Sequence, residues 1–134
     1  MPSQTSTKLP WLKWWKGTVT DPKLQLVAHE SGCPSLLVIG AWALLLEHCN
    51  DDGWIVVVPG REPVESDARK LLEVVGKVMK AEAERMIQLF EDHCLIQWER
   101  GMGHHVVKWR DRQRVDPQSR DRMRRKRERD RALN

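Results

Sequence analysis

Residues 80 to 109 read KAEAERMIQLFEDHCLIQWERGMGHHVVKW, and the spacing of their apolar residues decides the fold. Ala83, Met86, Ile87, Phe90 and Cys94 follow at steps of three, one, three and four, which predicts a helix over Lys80 to His93 with one core face. The period then changes. Leu95 to Glu99 and His104 to Trp109 read as strands, and the glycines of Arg100-Gly101-Met102-Gly103 are free to take positive φ, so the pair is a hairpin.

Working outward, Ser66 caps a helix carrying Ala68, Leu71, Leu72 and Val75 at helical spacing, with Gly76 placed as the left-handed residue that ends it. Before it, Trp54 to Val58 is a β-branched run between the turn chemistry of Asn50-Asp51-Asp52-Gly53 and Pro59-Gly60, and predicts a short strand. Pro34 opens a helix from Leu36 to Leu46, apolar on nearly every side and therefore expected at the centre. Asp21-Pro22 is an N-cap with proline at the first helical position, starting a helix to about Glu30 that ends near Ser31 and Gly32. Trp11, Trp14 and Trp15 are too apolar to leave in solvent and are expected to pack across the domain. The order predicts an α+β, mainly α fold: a winged helix-turn-helix whose strand 54–58 joins the hairpin strand 104–109 in a small three-stranded antiparallel sheet. Residues 1–10 read as a flexible lead-in, 11–109 as the winged-helix domain and 110–134 as an arginine-rich tail.

Composition bounds the function. A chain of 134 residues, 40% hydrophobic and 31% charged, has the size of one domain with its own core. Cys33, Cys49 and Cys94 are odd in number and widely spaced, which fits a reducing cytosol better than a disulfide framework. The longest apolar stretch, Leu36 to Leu46, is well short of a bilayer span, and Met1 to Leu9 lacks the apolar stretch of a secretory signal. A cytoplasmic protein without membrane contact is expected.

The net charge of +4 conceals a division: Arg110 to Asn134 holds 11 basic residues against 5 acidic, a net of +6 that leaves −2 for the rest. Arg120, Arg122, Arg124, Arg125, Lys126, Arg127, Arg129 and Arg131 can each meet a phosphate, arginine bidentately. So few apolar residues follow Arg110 that the tail is not expected to fold alone, although spaced opposite charges from Asp121 to Arg131 can support a helix on binding. A solvated basic extension is the plainer alternative. No leucine zipper follows.

Other constellations weigh less. The helix 80–93 offers Lys80 and Arg85, with Glu84, Gln88 and Glu91 also exposed, yet Glu82, Glu84, Glu91 and Asp92 leave it acidic, which opposes a polyanion unless the acids pair. The hairpin offers Arg100 and Lys108, with His104 and His105, to a phosphate backbone or a minor groove; a plain solvated tip serves equally. His48-Cys49 and His93-Cys94 invite a zinc site, but adjacent helical residues diverge by about 100°, and Cys49 and Cys94 fall on apolar stripes, so packing is favoured over metal. Without a phosphate loop, a hydrolase signature or a nucleophile with its base, neither a cofactor nor an enzyme is expected.

Several short pieces, in order, resemble the N-terminal domain of phage replisome organisers, the DnaD-like replication initiation proteins: Trp11-Leu12-Lys13, Asp21-Pro22-Lys23, Leu44-Leu45-Leu46, Asn50-Asp51-Asp52-Gly53-Trp54-Ile55, Phe90, Cys94-Leu95-Ile96, Val107-Lys108-Trp109, Arg112-Gln113 and the tail 122–129. The similarity covers about residues 11 to 131. It implies a winged helix used for self-association and DNA engagement in replication initiation or helicase loading. Such proteins usually continue into a second domain, whose helicase contact is not carried over. The expected function is a DNA-binding accessory protein of phage or prophage replication in a bacterial host cytoplasm, with DNA phosphates, replisome proteins and its own copies as partners. The alternatives are an interaction module aimed at a host factor and a winged-helix repressor.

Overall fold

Asp21 starts the fold as its residue type dictates. Its carboxylate accepts the backbone N–H groups of Lys23 at 2.9 Å and Leu24 at 3.4 Å, and Pro22 opens α1, Pro22–Ser31. Gly32, at φ 73°, ends the helix with its N–H on the Ala28 carbonyl. In the computed structural model residues 17–113 and 117–133 are described, with side chains outside 112–123. The lead-in 1–10 and Trp11, Trp14 and Trp15 lie outside the described residues.

Helix α2, Ser35–Glu47, buries Val38, Ile39, Ala41, Trp42, Leu45 and Leu46, and Trp42 meets Phe90 with ring centroids 5.5 Å apart. It is not buried all round as expected: Leu36 and Gly40 lie on an outer face in solvent, because α1 and α3 cover only part of its circumference. Helix α3, Asp67–Val74, packs on α4, Lys80–Asp92, and Arg69 pairs with Glu73 on its own helix and with Glu84 of α4 at 3.9 Å. The expected face of α4 is core, with Ala83, Met86, Ile87 and Phe90 all buried.

Details of the α3–α4 junction differ from the sequence reading. The Ser66 side chain caps nothing; the first turn is tied instead by the Asp67 carboxylate, which accepts the Val64 N–H at 3.0 Å and bonds Arg61 at 2.6 Å. Gly76 is not the left-handed residue. That is Lys77, at φ 57°, whereas Gly76 is required because a Cβ there would lie 2.7 Å from the Leu72 carbonyl oxygen. Cys94 leaves the apolar stripe: α4 ends at Asp92, Cys94 turns at φ 59° and its side chain is exposed.

The hairpin forms where expected. β1, Ile96–Glu99, pairs antiparallel with β2, Gly103–Val106, matching Ile96 with Val106 and Trp98 with His104. Gly101 and Gly103 take φ of 84° and 105°. Residues 54–58 do not form a third strand. Trp54 bridges His105 and Ile55 bridges Cys49; the Ile55 N–H reaches the His104 carbonyl at 2.9 Å, while the next N–H, of Val56, turns back to His48 at 2.8 Å. Consecutive residues thus serve opposite neighbours, and the pairing stops before Val57. The fold is α+β and mainly α, with a two-stranded sheet.

β2 ends three residues before the predicted Trp109. Lys108 turns at φ 60°, and Trp109 opens a short helix α5, Trp109–Gln113, with its ring seated over Gly53. The tail also departs from expectation, since residues Pro117–Leu133 form a 17-residue helix α6 whose side chains from Arg124 to Leu133 are exposed. Arginine, lysine and glutamate are intrinsically helix-favouring, and Asp121 and Glu128 stand three or four residues from basic partners, so no apolar face is needed to write this helix. Among the described residues no single helix is long and apolar enough to cross a membrane.

Candidate nucleic-acid interface

Helix α6 holds eight basic residues against three acidic ones. With 3.6 residues per turn, positions 120, 124, 127 and 131 fall within about 60° of one another, and 122, 125, 126 and 129 within about 100° on the opposite side. All eight are basic: Arg120, Arg124, Arg127 and Arg131 on one stripe, Arg122, Arg125, Lys126 and Arg129 on the other. The first stripe has the alternating four- and three-residue spacing of a coiled-coil seam, but a seam of arginines repels a second copy of itself.

The body does not supplement α6 with one basic face. Lys80 is exposed at the start of α4, and Arg100 is exposed in the hairpin loop. Arg85 donates to the Ser31 carbonyl at 3.4 Å, tying α4 to the end of α1. Among the acids expected to be exposed on α4, Glu91 is half-buried, with an oxygen 3.6 Å from His104 Nε2. His104 is 4% exposed, and that Nε2 has no hydrogen-bond partner among the described residues. Burial pulls its imidazole below the usual histidine range; the carboxylates of Glu91, Glu65 and Asp67 pull the other way without offsetting it.

Lys108 is brought into a groove with two aromatic rings. With Asp52, Trp54, His105, Trp109, Arg110 and Asp111 it lines an open groove of about 510 Å³. The Asn50–Trp54 turn forms one wall and is held from three sides. The Asn50 side chain accepts the N–H groups of Asp52 at 3.0 Å and Trp54 at 3.1 Å, the Trp109 indole donates to the Asp51 carbonyl at 2.9 Å, and His105 Nε2 meets the Asp52 carbonyl at 2.9 Å. Gly53, at φ 87°, makes this approach possible. Sequence reasoning missed the groove, since Gly53 and Trp109 are far apart in the chain and nothing local marks them as partners. The only hint was the doublet His104-His105, whose members must point to opposite faces of a strand, one into the core and one toward Trp54.

Cys33 and Cys49 are buried, Cys94 is exposed, His48 Nδ1 meets the Leu44 carbonyl at 3.0 Å and His93 Nε2 meets Glu30 at 3.1 Å. Among the described residues no three histidine, cysteine or acidic side chains gather as a metal would need. No protein-family model, curated protein or solved structure matches the chain.

Proposed function

We propose that this protein binds duplex DNA through α6, seated in the major groove with its two arginine stripes against the opposite phosphate walls. The observation that carries the reading is the pair of opposed basic stripes along α6, whose side chains are exposed from Arg124 to Leu133. A helix is about 10–12 Å across with its side chains and the groove is about 12 Å wide, so both stripes reach phosphate at once. The body is read as a winged helix-turn-helix in which α3 and α4 are the helix pair, β1 and β2 the wing, and Trp54-Ile55 the remnant of the third strand.

The helix-turn-helix of the body serves protein contact in this reading, with replisome proteins or further copies of the chain as partners. Val74, Val75 and Met79, at the α3–α4 junction, are 66%, 56% and 70% exposed, an apolar surface that suits a protein and not a phosphate backbone. The setting in phage or prophage replication initiation rests on the resemblance described above, and the host cytoplasm follows from that setting.

Binding of random-sequence duplexes, followed by fluorescence anisotropy across salt concentrations, tests the proposal. Eight phosphate contacts give a slope of about −7 in log affinity against log salt, at about −0.9 per contact. Changing Arg124, Arg125, Lys126 and Arg127 together to glutamine should reduce it to about −4 and weaken all sequences equally. An unchanged slope, or strong discrimination among sequences surviving the substitution, would place the DNA contact on the body instead.

A further inference from the structure

We propose that the groove beside the Asn50–Trp54 turn binds an unpaired base of single-stranded DNA, stacked on Trp54 with its flanking phosphate on Lys108 and Arg110. This deepens the DNA-binding reading and rests on it: α6 would grip duplex while the groove, at the point where the chain leaves the body for α6, takes a base from an opened strand.

Three features make the groove a built site. Its floor is preorganised, because Trp109 is 4% exposed, lies over Gly53 and spends its indole N–H on Asp51. Trp54 is half-buried and backed by His105, ring centroids 4.6 Å apart, so the indole is braced from one side. Its backbone N–H is held by the Asn50 side chain at 3.1 Å, which ties the ring to the turn. Lys108 holds a left-handed backbone at φ 60°, an uncommon conformation for a lysine, and lines the groove together with the rings. Neither Lys108 nor Arg110 has an ion-pair partner among the described residues.

The chemistry selects the class of ligand. An aromatic face flanked by cations is how single strands are held without sequence readout: every base has a π-face and every link a phosphate. The groove's volume of about 510 Å³ falls in the range of sites for small molecules. Asp52 and Asp111 also line it. They repel a bare phosphate but accept exocyclic amino groups, as acidic side chains do from cytosine. The base is therefore the group that this groove selects, amino-bearing bases ahead of thymine. A paired base offers no free face, so duplex should not enter.

The test uses the full chain and an eight-nucleotide deoxycytidine strand with one central 2-aminopurine, whose emission falls when it stacks on an indole. Binding should quench the emission. Trp54→Ala should abolish the quench and weaken single-strand binding about 5- to 150-fold, the range for loss of one base–aromatic stack, while duplex affinity stays within about twofold. Trp54→Phe should retain part of the quench. Lys108→Gln, at an exposed side chain, should lower the single-strand salt slope by about 0.7 and leave the duplex slope unchanged, which guards against a Trp54 variant that fails to fold. In the chain with Arg124, Arg125, Lys126 and Arg127 changed to glutamine, the quench should persist at higher protein concentration. Loss of duplex binding with a surviving Trp54-dependent quench would sink the α6 reading and leave the groove standing. Retained duplex binding with a quench indifferent to Trp54→Ala, or no quench at all, would overturn the groove.

Discussion

Substituting Gly53 by alanine should cost more than any other single methyl group added to this protein. The new Cβ would lie 2.4 Å from Cγ and 2.5 Å from Cβ of Trp109, far inside van der Waals contact, and both are atoms near the base of that side chain. A flexible side-chain tip could move aside; these atoms move only if the α5 backbone moves. The φ of 87° adds a penalty of roughly 1–2 kcal/mol for a residue with a Cβ. Displacing Trp109 then exposes an indole that is now 4% accessible and breaks its bond to Asp51, which at the limit approaches a tryptophan-to-alanine loss of about 3–5 kcal/mol. The expected total of about 3–5 kcal/mol is a large part of a domain's stability and lowers Tm by roughly 15–30 °C. Thermal unfolding by circular dichroism measures it. The explanation has a sharper check: with Trp109→Ala in place, Gly53→Ala should cost only its conformational share of about 1–2 kcal/mol, a coupling of about 2–3 kcal/mol. Strict additivity of the two substitutions, or a Tm change below about 3 °C for Gly53→Ala alone, would refute the close approach.

Two further perturbations test other parts of the fold. Because burial lowers the His104 pKa, the unfolded chain binds the proton more readily, so stability is full above about pH 6.5 and falls on acidification toward the folded-state value, by at most about 1.4 kcal/mol per pH unit. Urea midpoints at several pH values should show this decline, and His104→Leu should flatten it; the same decline in His104→Leu would assign it to other groups. At the α3–α4 junction, Gly76→Ala should destabilise by about 1–3 kcal/mol through its clash with the Leu72 carbonyl, while Lys77→Gly should stabilise by up to about 1 kcal/mol by relieving the left-handed lysine. A lower melting temperature for Lys77→Gly, with Gly76→Ala also destabilising, would restore Gly76 as the helix-ending residue.

Local chemistry made most of the helices legible. Asp21, Pro22 and Gly32 mark both ends of α1 by side-chain capping and backbone freedom, effects complete within a few residues, and the face of α4 follows from the spacing of Ala83, Met86, Ile87 and Phe90. The hairpin glycines and the separation of a basic tail from an acidic body are likewise properties of the chain itself. Helix α6 could have been read as well, because its arginine stripes are written in its spacing; what concealed it was the assumption that a helix needs an apolar face.

Tertiary structure decided the rest, wherever two distant segments compete for one set of groups. The run Trp54 to Val58 has the composition of a strand, but its N–H groups are divided between His104 and His48, so it pairs for only two residues. His104-Trp109 has the pattern of a strand, yet the notch at Gly53 draws Trp109 out of it and turns Lys108. The same contact builds the groove of Trp54, His105, Lys108 and Arg110 from residues that a linear reading keeps apart. A sequence carries periodicity, caps and charge because these act between near neighbours; which backbone group a distant N–H finds, and which ring a missing Cβ admits, exist only once the chain has closed on itself.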